Sequence, residues 1–424
     1  MLTTPSLDQE FGRILAGDPA AVRDPYPVYA GLREAADLYL YKAAVPIAAS
    51  HAAVRQLSMD DDRFLTHRGI DRFKLDTLDE ADRTRVAEIC AFEQLQMSGM
   101  NGEPHKRVRM AAQKGFGSPR AVEMADYARR LVAGIADRMA AEGGEVDLIE
   151  LAYRVPLLVV MRMLGAPEED IDLLRGWSDA IAGVKQFVGA DIPPAKVRAA
   201  HDGITQLKTY IGDMARELRR NPDRTHLMGI LLDAEEGSRL SADELSSTFV
   251  VIFYAGHETT TNLIGNGFLE LLRHRAQWER LCADPAMAPS AVEEVLRYNA
   301  PVQMIVRRAA EDVEAFGREI AEGTNVMLLY GAANRDPAAF DRPDEFDIGR
   351  TQNRHFGFGH GVHVCLGAAL ARLEGRIAFD YFARRFPEMA LACDPDVLDW
   401  HSHAVFHGLK RLPVRLGADR GDGR

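Results

Sequence analysis

The sequence predicts a mainly α-helical fold with small β-sheets, on three observations. Apolar residues recur at helical spacing between Glu103 and about Leu240, as in Tyr127–Ala141 and Leu207–Leu218. Ser241-Ala242-Asp243-Glu244 has the form of a capping box and opens a helix that should run to about Arg275. β-like runs are short by comparison: Val45–Ala48, Val326–Tyr330 and Leu409–Leu416.

Along the chain, the first hundred residues mix short apolar runs with turn signals such as Asp24-Pro25-Tyr26-Pro27. The helices that follow are separated by Gly143-Gly144, Ile192-Pro193-Pro194 and Asn221-Pro222-Asp223. In the helix opened by Ser241, Phe249–Ala255 is apolar on every side, which places it in the protein centre. Beyond Asp312 come short strands, then an irregular stretch rich in Asp, Pro, Arg and Phe. A last helix starts near Cys365 and contains Ala368, Ala369, Leu370, Ala371 and Leu373. No repeat or low-complexity linker marks a domain cut.

Composition narrows the function. The 424 residues carry 51 Lys+Arg and 63 Asp+Glu, a formal charge of −12, with 47% hydrophobic and 27% charged residues. That balance suits a globular core and excludes a disordered or collagen-like chain. Phosphate contacts need a basic face, so no nucleic-acid partner is expected. Cys90, Cys282, Cys365 and Cys393 form no CxxC pair, against both a disulfide framework and a zinc ribbon. Met1 to Gly17 holds Asp8, Glu10 and Arg13 and lacks the apolar core of a signal peptide. The most apolar stretches, Pro156–Met161 and Phe249–Ala255, fall far short of the ~20 residues of a membrane span. A reduced, cytoplasmic, soluble protein is the expectation.

The segment Phe358-Gly359-His360-Gly361-Val362-His363-Val364-Cys365-Leu366-Gly367 carries the chemistry. Gly357, Gly359 and Gly361 let the backbone take positive φ and lie flat against a planar group. At a helix start, amide N–H groups and the dipole favour a Cys365 thiolate, the axial ligand that an iron porphyrin needs. The six fixed positions of F-G-x-G-x-H-x-C-x-G arise by chance in such a chain at roughly 10⁻⁶. His360, His363 and Cys365 as zinc ligands leave the fourth ligand unclear, and neither GxGxxG nor a Walker pattern fits the glycines.

With these motifs the chain resembles the bacterial-type cytochrome P450s, soluble heme-thiolate monooxygenases. The resemblance runs from Asp24-Pro25-Tyr26-Pro27 to the last strand. It implies a single domain over residues 1–424, with a small β-rich part at about 25–100, a helical core at about 103–300 and a cysteine loop at 355–367. Heme b (iron protoporphyrin IX) would lie between the long central helix and the cysteine-loop helix, with Cys365 on the iron and Phe358, Gly359 and Gly367 around it. O2 would be the co-substrate.

In Ala255-Gly256-His257-Glu258-Thr259-Thr260, small residues at Ala255 and Gly256 leave room beside the helix, and Glu258 and Thr259 match the family's acid–alcohol pair for proton delivery. His105 and Arg109, one turn apart, together with Arg307 and His363 would bind the two propionates. Arg307, rather than Arg308, matches R-x-A-x-E-D. Glu294 and Arg297 of E-x-x-R, joined by Arg350, would form a buried structural network.

The resemblance places substrate at Phe253 and Tyr254, at Gln303, Met304 and Ile305, and at Val405, Phe406 and His407, with Ala91–Met100 closing over it. Substrate would be a small molecule of secondary metabolism or a xenobiotic, free or carrier-bound. Electrons would come from separate ferredoxin and ferredoxin reductase chains, docking through Lys106, Arg107, Lys114, Arg372 and Arg376. A peroxide-driven oxygenase of the same fold and a heme sensor without turnover are the alternatives.

Overall fold

The structure, a computed structural model, describes residues 6–116, 118–184, 191–221, 225–237 and 239–421. Pro222-Asp223 of the expected turn lie outside them. The helices are α1 (Leu7–Leu15), α2 (Pro19–Arg23), α3 (Tyr26–Ala35), α4 (His51–Met59), α5 (Glu80–Gln94), α6 (Gly102–Gln113), α7 (Ser118–Glu142), α8 (Leu148–Leu164), α9 (Ile171–Ala182), α10 (Pro194–Arg220), α11 (Leu227–Glu236), α12 (Ala242–Arg273), α13 (Arg275–Ala283), α14 (Ala288–Tyr298), α15 (Tyr330–Ala333) and α16 (Ala368–Arg385). The strands are β1 (Leu38–Tyr41), β2 (Val45–Ala48), β3 (Phe64–Leu65), β4 (Glu145–Asp147), β5 (Met304–Ala309), β6 (Val313–Ala315), β7 (Arg318–Ile320), β8 (Asn325–Leu329), β9 (Ala390–Leu391) and β10 (Pro413–Arg415). The expected mainly helical chain with small sheets is what is found.

The chain divides into two compact units, one of residues 1–65, 122–156 and 258–424, the other of residues 66–121 and 157–257. Among the described residues, every sheet belongs to the first unit. Its largest has the order β1-β2-β8-β5-β3, in which β2 and β8 are parallel and the other pairs antiparallel. The β-rich part expected at about 25–100 thus takes β5 and β8 from beyond residue 300, a long-range pairing with no local signal. The expected strand at Leu409–Leu416 shrinks to β10, where Val414 pairs with Val146 of β4 and Leu391 of β9. Leu38, Val54, Phe64, Val326, Leu328 and Phe356 form one core of this unit. Phe11, Tyr29, Leu32, Ile47 and Leu329 form a second.

In the second unit, the predicted capping box is present. Ser241 N–H donates to Glu244 Oε2 at 2.8 Å, and Glu244 N–H donates to Ser241 Oγ at 3.1 Å. Arg107 clamps the same carboxylate at 2.6 and 3.0 Å. Phe249 to Phe253 are buried, as their all-round apolarity requires, but Ala255 is exposed. Gly256 allows close packing, because a Cβ there would lie 2.8 Å from Val160 Cγ2 of α8. The segment Ala91–Met100 packs Phe92, Met97 and Met100 inward, and Ser247 Oγ of α12 donates to Phe92 O at 2.8 Å. Among the described residues, no helix is long and apolar enough to cross a membrane.

Candidate active site

The cysteine loop of the first unit is built by its own backbone. Gly359 N–H donates to Phe356 O at 2.8 Å, Val364 N–H to Gly361 O at 3.1 Å and Cys365 N–H to Phe358 O at 2.9 Å. Gly359 and Gly361 hold φ of +72° and +75°, a region that disfavours any side chain. A Cβ on Gly361 would also overlap the Ser58 carbonyl of α4. Cys365 is exposed and in no disulfide. It lies three residues before Ala368, with Gly367 as the N-cap of α16, and so precedes the helix start at which the sequence placed it. Val362 and Val364 beside it are exposed as well. Among the described residues no three His, Cys, Asp or Glu side chains gather as a metal site, so the zinc set lapses.

A buried ion network fixes this loop. Glu294 and Arg297 are 0% exposed and paired at 2.8 and 2.9 Å. Arg350 Nε reaches the Glu294 carboxylate at 3.2 Å and Asn353 Nδ2 at 3.1 Å. Arg297 also donates to the carbonyls of Asn334, Pro343 and Glu345. Asn334 Oδ1 in turn accepts Phe356 N–H at 2.7 Å, which ties the network to the cysteine loop. The expected trio is present, and Asn334 is the link that the sequence did not disclose.

Arg307, on β5, is 5% exposed, and its side chain has no hydrogen bond or ion pair among the described residues. Burial pulls its pKa down, against weaker help from Tyr330 and Asp61. A guanidinium does not deprotonate in proteins, so this is a buried cation lacking a counter-anion. His363 is half-buried in the turn Gly361–His363. In the second unit, His105 and Arg109 sit one turn apart on α6, His105 buried and Arg109 half-buried.

Ala255, Glu258, Thr259 and Asn262 share one face of α12, and Glu258 and Thr259 are half-buried there. His257, unremarked in the sequence, is buried next to this pair, with Nδ1 2.8 Å from Phe253 O and its ring 5.2 Å from that of Phe253. Burial lowers its pKa, so it is neutral at pH 7.

Several expected contacts have other roles. His407 Nδ1 lies 2.7 Å from Asn299 Oδ1 and Nε2 lies 3.0 Å from Val22 O, while its ring stacks on Trp400 at 3.9 Å. With both nitrogens engaged it has no polar atom left to orient a substrate. Gln303 Nε2 is spent on Ala300 O at 2.7 Å and Tyr26 OH at 3.4 Å. Phe253 and Met304 are buried, whereas Tyr254, Ile305, Val405 and Phe406 are half-buried. Arg372 is no free docking cation: it grips Glu293 at 2.6 and 3.0 Å and lies 4.4 Å over the Phe358 ring. Burial would raise Glu293, but His355 and Arg372 outweigh it and hold the carboxyl at about 2. Arg107 is likewise committed to Glu244. Lys106, Lys114 and Arg376 remain exposed.

The vitamin D(3) 25-hydroxylase of Pseudonocardia autotrophica is 36% identical over 403 residues, which covers 93% of this chain and 94% of that protein. The chain belongs to the cytochrome P450 family. The sequence profile of that family, Cytochrome P450, matches residues 187–284 and 286–396. The cytochrome P450 monooxygenase PikC of Streptomyces venezuelae is 34% identical, over 95% of this chain and 93% of its own. The solved structure of P450BioI in complex with hexadec-9Z-enoic acid ligated acyl carrier protein matches with a TM-score of 0.83 and 30% identity, covering 93% of this chain and 98% of that one. As a cytochrome P450 this chain is an oxidoreductase that carries heme b and uses O2 as co-substrate. Its residues fit the cofactor. A cysteine stands exposed on a loop of close backbone turns, and the buried Arg307 offers an unmatched cation to a propionate.

Buried His407 gives this cytochrome P450 an acid-sensitive joint. Burial, the largest cause, pushes its pKa to about 4 against the backbone bonds to Val22 and Arg23. The unfolded chain, at the ordinary value near 6.5, binds more protons between the two pKa values. Stability should therefore be fully present above pH 6.5 and fall by ~1.4 kcal/mol per unit as pH drops towards 4. Denaturant midpoints across that window check this, and His407→Phe should flatten the slope.

Proposed function

We propose that this cytochrome P450 is an external monooxygenase of secondary metabolism, inserting one oxygen atom from O2 into a small organic substrate. What carries the proposal is Glu258 and Thr259 on one half-buried face of α12, an acid and a hydroxyl that can hold and pass protons. A relative named for polyketide biosynthesis, PksS of Bacillus subtilis, supports the metabolic setting.

When bound, the heme supplies dioxygen binding and the oxidising chemistry. Cys365 would hold its iron, and the loop turns at Phe358, Gly359 and Gly367 would keep that sulfur in place. In the first unit Arg307 and His363 would each take a propionate oxygen. In the second, His105 and Arg109 are assigned the same task on their sequence pattern, and Ala255 a place beside the ring. Thr259 Oγ1 would hold a proton donor in position, and the Glu258 carboxyl would refill it. Ile305, Val405 and Phe406 would line substrate in the first unit, and Tyr254 in the second, which favours a substrate with apolar bulk.

Electrons would arrive one at a time from a ferredoxin served by its reductase, docking on the first unit beside exposed Val362 and Val364 with Arg376 as its cation. A carrier-bound substrate is a second reading, prompted by the P450BioI complex.

Thr259→Ala should leave heme bound and its carbon-monoxide spectrum unchanged, while product per electron pair falls at least about tenfold and peroxide rises. The function itself is tested by titrating the heme-loaded protein with a compound library and assaying each ligand that shifts the spin state. An oxygenated product formed only with reduced ferredoxin and O2 is expected. Equal turnover with hydrogen peroxide alone, or none with either, would contradict the proposal. Preference for acyl-carrier-linked over free ligands would select the carrier-bound form.

A further inference from the structure

Glu258 is followed along α12 by Asn262, Asn266 and Glu270, at steps of four that place all of them on one side of the helix. The three later residues turn into the first unit, 7%, 0% and 3% exposed. Their neighbours there are polar. Asn266 Nδ2 donates to His407 O at 2.9 Å and to Asn299 O at 3.3 Å, and Asn299 Nδ2 donates to Glu270 Oε1 at 2.9 Å. Tyr26 OH joins Asn299 Oδ1 to Gln303 Nε2, at 3.4 Å on each side.

The network is not closed. Asn266 Oδ1, Glu270 Oε2, Gln303 Oε1 and Trp400 Nε1 are buried and have no hydrogen-bond partner among the described residues. Each such atom left dry costs ~1–3 kcal/mol, so four of them would cost an amount comparable to the ~5–15 kcal/mol net stability of a fold. Buried polar atoms of this kind bind ordered water. One end of the stripe reaches the surface, where His274, its side chain 34% exposed, holds Nδ1 3.5 Å from Glu270 Oε2. Towards the other end, Gly408 makes room for Asn262, since a Cβ there would overlap Asn262 Oδ1. Asn262 is one turn from Glu258.

We propose that the stripe Asn262–Asn266–Glu270 holds a file of buried waters that carries protons from the surface at His274 to the Glu258–Thr259 pair. This rests on the proton-delivery role proposed above for that pair. Each O2 reduced needs two protons, with its electrons coming from the separate donor protein. A water at the inner end breaks an O–H bond to protonate the Glu258 carboxylate, and the vacancy passes along the file to Glu270. Glu270 Oε2 passes inward a proton that reaches it from solvent by way of His274. No net charge is stored.

Two substitutions and one diffraction measurement test this in the heme-loaded protein. Glu270→Gln keeps shape and the Asn299 contact but cannot pass a proton, and Asn262→Leu fills the file with an apolar group of similar size. Each should lower product per electron pair by about tenfold and raise peroxide release, with the carbon-monoxide spectrum and heme content unchanged. A high-resolution crystal structure should show ordered water on both Asn266 Oδ1 and Glu270 Oε2. A dry stripe, or full coupling in both variants while Thr259→Ala uncouples, would overturn the water file and leave the relay intact. Full coupling in Thr259→Ala as well would remove both.

Discussion

Arg297→Ala is expected to cost ~3–5 kcal/mol, the toll of leaving one member of a buried ion pair uncompensated. Glu294 would keep Arg350 but lose its bidentate partner at 2.8 and 2.9 Å, in a place with no access to water. The backbone carbonyls of Asn334 and Pro343 would lose their side-chain donor in the same step, and Glu345 O would keep only Arg350 Nη2 at 3.3 Å. Because Asn334 also holds Phe356 N–H, the loss should spread to the cysteine loop and appear as weaker heme retention. Arg297→Lys should recover little, since an ammonium cannot reproduce the planar fork. Denaturant midpoints and heme content after gel filtration measure both effects. A loss below about 1 kcal/mol, the range of a surface pair, would show that the network does not carry the loop.

Cys365→Ala should behave in the opposite way, sparing the fold and abolishing the chemistry. The loop is held by backbone bonds from Gly359, Val364 and Cys365 itself, all of which an alanine retains. The variant should therefore match the parent in thermal unfolding without heme. With heme added, oxygen insertion should vanish, because no other described side chain of the loop offers a thiolate. Retained turnover would move the iron ligand elsewhere.

Much of this fold follows from local pattern. The Ser241 capping box sets the start of α12, the apolar run Phe249–Phe253 sets its burial, and of the three glycines expected at positive φ, 359 and 361 take it while 357 does not. What was hidden depends on partners far along the chain. Arg372 reads as an exposed cation until Glu293 folds beneath it, and His407 reads as a pocket residue until Val22 and Asn299 take both its nitrogens. The five-stranded sheet could not be assembled locally, since β8 joins β2 across about two-thirds of the sequence and strand pairing is decided by tertiary context. The polar stripe below Glu258 was visible in principle, as Asn262, Asn266 and Glu270 at steps of four. Only the unmatched oxygens at Asn266 and Glu270 give that spacing a meaning.

The central claim is that Cys365 ligates iron through its sulfur. The most direct measurement is the carbon-monoxide difference spectrum of the purified, heme-loaded protein after reduction. The red-shifted Soret band of a thiolate-bound heme is expected in the parent and should be absent in Cys365→Ala. A band typical of imidazole ligation in the parent, or a thiolate band that survives in the variant, would contradict it.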